Sequence, residues 1–330
     1  PPPPPPHPLP PDATAEAVTC TTEAELAAAI SSTNNISSTC SERCDCNTCS
    51  TCSACYEYES YLTIDLVAGH VYSVGGLVVP QGKHVTIVGH GAHIDGDGTG
   101  AAVFSVHQGA KLVTYDLHIS NRGIGRGLRL HGASRCELWR SIISDCYGEN
   151  GGAAELLREY HRKDAFGVET QLSLFFSEVR NNVGEVRGGA FYAPNWCKIR
   201  AEDSIFADNH CKWAGGVVNV WPGIFECERC LFTRNRAAST TSGGSFGGVS
   251  SIHEGGVVSY IDSNFTDNWA TGNGGTMYGG PHTVVGCRFI GNQAIDHSGG
   301  VAQLDAAPST FTRCYYENNS AWAGALFSFQ

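Results

Sequence analysis

From Tyr61 onward, apolar residues fall in short runs, and most runs are closed by glycine or by a polar cluster. Tyr61–Leu66, Leu77–Val79, Val85–Val88, Val103–Val106, Lys111–Thr114 and Leu117–Ser120 are of this kind, and the pattern predicts strands joined by tight turns. A short helix is expected at Thr22–Ile30. There Thr22 can cap, Glu25 follows three residues later, and Ala and Leu fill the rest. A short helix placed before a stack of strands would cover the first open sheet edge.

Further along, the runs acquire a register. An aromatic or aliphatic residue, two variable residues and then Asn recur as Phe206…Asn209, Phe232…Asn235, Phe265…Asn268, Phe289…Asn292 and Tyr316…Asn319. Val179…Asn182 and Ile142…Asp145 read as degenerate earlier copies. A glycine pair or near relative follows each: Gly151-Gly152, Gly188-Gly189, Gly215-Gly216, Gly243-Gly244, Gly274-Gly275, Gly299-Gly300 and Gly324-Ala325. From Asn182 to Asn319 the asparagines are 27, 26, 33, 24 and 27 residues apart. A period mostly in the twenties, with one fixed polar position and one fixed glycine corner, means stacked repeats. The leucine pattern of leucine-rich repeats is absent, and few strong helix formers lie between copies.

The physics of each position follows. The aromatic residue points inward and stacks on its equivalent in the next coil. Asn tolerates the left-handed conformation at a corner, and a column of Asn182, Asn209, Asn235, Asn268, Asn292 and Asn319 can form a hydrogen-bonded ladder. The glycine pair turns the chain where a Cβ would clash. Five residues before each Asn stands a small residue: Ser177, Ser204, Cys230, Ser263, Cys287 and Cys314. Neighbouring coils lie about 4.8 Å apart, so Cys287 and Cys314 fall within disulfide range, whereas Cys230 is two coils from Cys287. The expected fold is all-β, a right-handed single-stranded parallel β-helix. The expected divisions are a Pro-rich arm (1–19), a capping helix with a Cys-rich loop (20–60) and the coils (61–330).

The Phe-x-x-Asn and Gly-Gly-Ala-hydrophobic motifs resemble the polymorphic outer membrane protein repeat of chlamydiae and related surface proteins. Gly188-Gly189-Ala190-Phe191 fits fully, while Gly215-Gly216-Val217-Val218 and Gly299-Gly300-Val301-Ala302 depart at Ala. The resemblance runs from Ile142 to the end and implies the coil fold, with adhesin or surface-scaffold roles.

Composition narrows the setting. Charged residues are only 16 % and glycines number 40, which suits turn-rich β architecture. A net charge of −11 without a basic stripe argues against nucleic acid. No apolar run is long enough to span a bilayer. Fifteen cysteines, with sequons at Asn35, Asn264 and Asn318, favour a secreted, disulfide-bearing, N-glycosylated chain. Cys44, Cys46, Cys49, Cys52 and Cys55 read as a disulfide loop that Cys20 and Cys40 can join. Zinc is the weaker alternative, because separated Cys-x2-Cys knuckles are missing. The odd total leaves one thiol free or pairing between chains.

Pro1–Pro11 takes polyproline II and resembles the hydroxyproline-rich wall and flagellar glycoproteins of green algae. That likeness implies O-glycosylated hydroxyproline at Pro1, Pro2, Pro3, Pro4, Pro5 and Pro6. The chain begins with Pro rather than Met and stops inside a motif at Gln330. The expectation is a chain that continues, or an end covered by another subunit.

Many parallel β-helices cleave polysaccharides, and a glycosidase needs two placed carboxylates. Asp95, Asp97 and Asp116 are the candidates, although Asp95-Gly96-Asp97-Gly98 reads first as a turn. The polygalacturonase motifs are missing apart from His131-Gly132, and so are pectate-lyase calcium signatures. Glu155, Glu159 and Asp164 fall in a stretch that reads as an inserted helical loop with a solvated face. His90 and His93 read as surface residues. No cofactor or metal is expected. The leading expectation is a non-catalytic extracellular structural glycoprotein of a homo- or hetero-oligomeric surface fibril, wall or mastigoneme-like appendage. An adhesin for glycans or cells is second, and a polysaccharide lyase or hydrolase third.

Overall fold

A computed structural model describes residues 17–31, 60–122, 125–157, 169–239, 244–305 and 308–329. The expectations on Pro1–Pro6, Asn35, Cys40, Cys44, Cys46, Cys49, Cys52, Cys55, Glu159 and Asp164 lie outside the described residues.

The chain is a parallel β-solenoid. Every strand pairing is parallel, and each strand pairs with its equivalent one coil away. A full coil has four faces. The first carries Leu77–Val79, Phe104–Val106, Leu128–Leu130 and Ala154–Leu156, and continues to Phe327–Phe329. The second carries Ser60–Leu66 and Lys83–Val88. Phe191–Glu202 and Val218–Glu228 run through the corner between these faces and merge them into one 19-stranded sheet. Among the described residues the third face has ten strands, from Val71–Ser73 to Tyr315–Glu317. The fourth has seven, from Tyr147–Asn150 to Ser320–Ala323. Strict alternation sets which side chains enter the core: Lys83–Val88 buries every second residue and leaves the others partly exposed.

Two internal files run along the solenoid. The rings of Phe206, Phe232, Phe265, Phe289 and Tyr316 stack nearly parallel, with successive centroids 4.8, 4.8, 4.6 and 5.4 Å apart. Beside them the asparagines form the expected ladder. The Asn209 Nδ2 donates to Asn235 Oδ1 at 3.0 Å and to the Val179 carbonyl at 2.9 Å, while its backbone N–H also donates to Asn235 Oδ1. The same bonds recur from Asn182 to Asn319. Each of Asn182, Asn209, Asn235, Asn268 and Asn292 is fully buried.

The ladder corrects three expectations. The left-handed residue is not the ladder Asn but the one before it: Asn181, Asp208, Arg234, Asp267 and Asn318 have φ of 55°, 56°, 52°, 55° and 52°. The Asn itself keeps an ordinary backbone, which lets its amide point inward. Next, Ile143 pairs with Val179, so Cys146 rather than Asp145 occupies the ladder column, and its N–H donates to Asn182 Oδ1. Finally, the corner after Asn235 is Gly247-Gly248, not Gly243-Gly244. Gly216 N–H donates to the Gly247 carbonyl, and Gly247 has φ 65°. An insertion in that coil lengthens the turn, and Gly243 lies outside the described residues.

At the first end, the helix Glu23–Ser31 has its capping box. Glu25 N–H donates to Thr22 Oγ1 at 3.2 Å, and Thr22 N–H donates to Glu25 Oε2 at 3.1 Å. Leu26 and Ile30 are buried against the coils. β-structure starts before the expected boundary at 19: Val18–Cys20 pairs with Ile64–Leu66 and extends the second face.

Candidate functional site

The third residue after each second corner glycine lies mid-strand on the first face and points outward. These are Glu155, Tyr192, Asn219, Ser251, Tyr278 and Gln303, and Arg129 is in register one coil before Glu155. Six steps of about 4.8 Å make this file roughly 29 Å long. An outward file on a solenoid is normally wet, yet Asn219 and Ser251 are 0 % exposed. The file is therefore recessed at its centre.

Arg187 precedes the Gly188-Gly189 corner and reaches over rings of the file. Its guanidinium lies 4.8 Å from the centroid of Trp221 and 5.9 Å from that of Tyr192, and it donates to Tyr192 Oη at 3.3 Å. Trp221 stands two residues after Asn219 in the strand Val218–Glu228, so the Arg187 side chain reaches from the glycine corner of one coil to the far side of Asn219 in the next. In the same column as Arg187 stands Phe246, whose ring meets that of Tyr278 at 4.4 Å. Along the file, both amide atoms of Asn219, Ser251 Oγ and Gln303 Oε1 are buried and lack hydrogen-bond partners among the described residues. A buried polar group left unpaired costs about 1–3 kcal/mol; the Ser134 and Thr276 hydroxyls elsewhere in the solenoid are unpaired among the described residues as well.

The rims are aromatic. Trp213 stands on the glycine-corner side of the Asn219 coil, Trp221 on the other, and both are exposed. His253 follows Trp221 one coil on, with ring centroids 5.4 Å apart. Burial, then the nearby Arg187, pulls the His253 pKa down, against the opposing effect of Asp305. Burial and Asp305 push the Tyr278 phenol up. At the other end, Arg126 and Arg129 share the Glu155 carboxylate, each at 3.3 Å.

That places Glu155 differently from its expected solvated helical loop. It is buried in the strand Ala154–Leu156, because the strand continues the first face before the chain leaves it. The other expected carboxylates do not form a pair. Asp97 accepts from Thr99 N–H and Oγ1, as a turn residue does. Asp95 accepts from Ser120 Oγ on the third face. Asp116, at φ 49°, holds Arg140 through both oxygens at 2.7 and 2.8 Å.

His90 is exposed, 3.6 Å from Asp65. His93 departs from its expected surface role: half-buried, it stacks on His118 at 4.0 Å and meets Ser120 Oγ at 2.8 Å. Burial pulls His118 down to about 4. Asn264 and Asn318 are exposed.

Cys287 and Cys314 occupy neighbouring coils in one column, as the register requires, but both are free thiols, and so is Cys20. In a parallel stack equivalent side chains point the same way rather than at each other. The two thiols donate instead to the Val285 and Thr312 carbonyls at 3.4 Å. Burial raises the Cys287 pKa to about 12 and that of Cys211 to about 11, which makes them unreactive at neutral pH.

Among the described residues no three His, Cys, Asp or Glu side chains form a metal-binding group. No described helix is long and apolar enough to cross a membrane.

The sequence reading missed the recessed file, although its signal was present. The third position after each second glycine is polar or phenolic in every copy from Glu155 to Ser328. Comparisons with protein-family models, curated proteins and solved structures find no match for this chain.

Proposed function

We propose that the chain is a non-catalytic extracellular structural glycoprotein, a solenoid unit of a surface fibril, wall or mastigoneme-like appendage, that engages glycan along its recessed first-face file. The observation that carries this reading is the file itself. Unpaired amide and hydroxyl groups lie between tryptophan and tyrosine rings, the mixture of polar and flat apolar surface that a sugar chain presents in return. A coil step of about 4.8 Å is comparable with the length of one sugar ring in an extended chain.

The scaffold role draws on the two internal files, which tie each coil to the next. The exposed sequons at Asn264 and Asn318 are sterically open to glycosylation. Against hydrolysis stand the partners already held by the carboxylates: Glu155 by two arginines, Asp116 by Arg140, Asp95 by Ser120.

Three measurements on native material test the reading. Intact mass with glycan mapping should find modification at Asn264 and Asn318, at Asn35, and on Pro1–Pro6. Electron microscopy should show the rods in ordered filaments. Incubation with pectin, alginate and chitin should release no oligosaccharide; depolymerisation abolished by Asp95→Asn or Asp116→Asn would overturn the reading in favour of an enzyme.

A further inference from the structure

We propose that the recessed file binds an extended anionic polysaccharide, and that Arg187 is a strap across it which the ligand's acidic group draws away. This rests on the glycan-engaging reading above and names the ligand class and the residue that selects it.

Asn219 has a donor and an acceptor, both unpaired and both buried, and it lies between Tyr192 and Trp221, the two rings that hold the strap. A vicinal pair of sugar hydroxyls offers the matching acceptor and donor. The strap itself is lightly held. Among the described residues Arg187 has no carboxylate within ion-pair distance. Its contacts are the faces of Trp221 and Tyr192 and one phenol oxygen. By contrast Arg140, Arg229 and Arg234 are each held by an aspartate. A guanidinium that gives up a π face for a carboxylate or sulfate gains a charge-assisted, two-pronged partner. Its departure frees the Trp221 face for the apolar side of a sugar ring.

The whole protein should be titrated by calorimetry with three oligosaccharides of equal length: oligogalacturonate, a sulfated galactan and neutral cello-oligosaccharide. One or both anionic probes should bind at least about tenfold more tightly than the neutral one. The better of the two identifies carboxylate or sulfate as the group recognised. Arg187→Gln should remove that advantage and leave the melting temperature unchanged. Asn219→Leu should abolish binding while the melting temperature holds or rises, because an unpaired amide is replaced by an apolar group of similar size. If the neutral probe binds as well as the anionic ones and Arg187→Gln changes nothing, the strap and the anionic class fall while glycan binding stands. If no probe binds, both fall. If Asn219→Leu lowers the melting temperature and leaves binding intact, Asn219 is a structural group and the proposal is overturned.

Discussion

At the scale of single residues, the ladder asparagines carry most of the hydrogen bonding that specifies the coil. Asn235 accepts from the N–H and the Nδ2 of Asn209 and donates to the Phe206 carbonyl and to Asn268. Asn235→Ala therefore leaves several buried groups unpaired. The expected loss is about 2–4 kcal/mol of unfolding free energy, read from denaturant titration. Exposed pairs contrast with this: Arg234→Ala, which breaks the ion pair to Asp208, should cost less than about 1 kcal/mol in the same assay.

A second residue-scale effect is titratable. Burial pulls the His282 pKa down to about 3, whereas an unfolded chain titrates near 6.5. Between those values the unfolded state takes a proton that the folded state refuses. Stability is full above pH 6.5 and falls by about 1.4 kcal/mol per pH unit towards pH 3 on account of this group. His282→Gln should flatten that slope in denaturant titrations at pH 7.5 and 4.5. The amides were legible in the sequence because one residue type recurs at a constant distance from an aromatic. The left-handed position beside them was not, because Asn, Asp, Arg and Gly all fill it and only the backbone is held constant.

At the scale of elements, two devices set where coils begin and how they turn. The helix Glu23–Ser31 and the strand Val18–Cys20 close the first end, and Leu26 is fully buried there. Leu26→Ala should destabilise by about 2–4 kcal/mol through the lost contact and the cavity left behind, again measured by denaturant unfolding. The glycine corner is stricter. A Cβ on Gly216 would fall on the Gly248 carbonyl oxygen, so substitution there has to move the backbone of two coils at once. The helix was legible from its capping box, and the strands from their short apolar runs. The corner after Asn235 was misread because the insertion brought a second glycine pair closer to the expected interval than the true one. Glu155 was misread for a related reason: its strand is only three residues long, too short for alternation to outweigh the charged residues that follow. In both places tertiary register decided what local sequence left open.

At the scale of the whole molecule, the solenoid is close to one-dimensional. Each coil bonds to the coil on either side, and the aromatic and amide files are chains of nearest-neighbour contacts. Stability in such a structure is a sum of coil terms and interface terms, so a defect should act locally rather than melt the rod as a unit. Asn235→Ala supplies the test by hydrogen exchange. Backbone amides in Phe206–Arg236 and Phe265–Asn268, which flank the broken rung, should lose protection. Those of Val85–Val88 and Leu112–Thr114, several coils away, should exchange as in the unaltered protein. A uniform loss of protection along the chain would show global cooperativity instead. The outcome bears on the proposed function, because a rod that confines damage to one coil can hold the proposed glycan along the remaining ones.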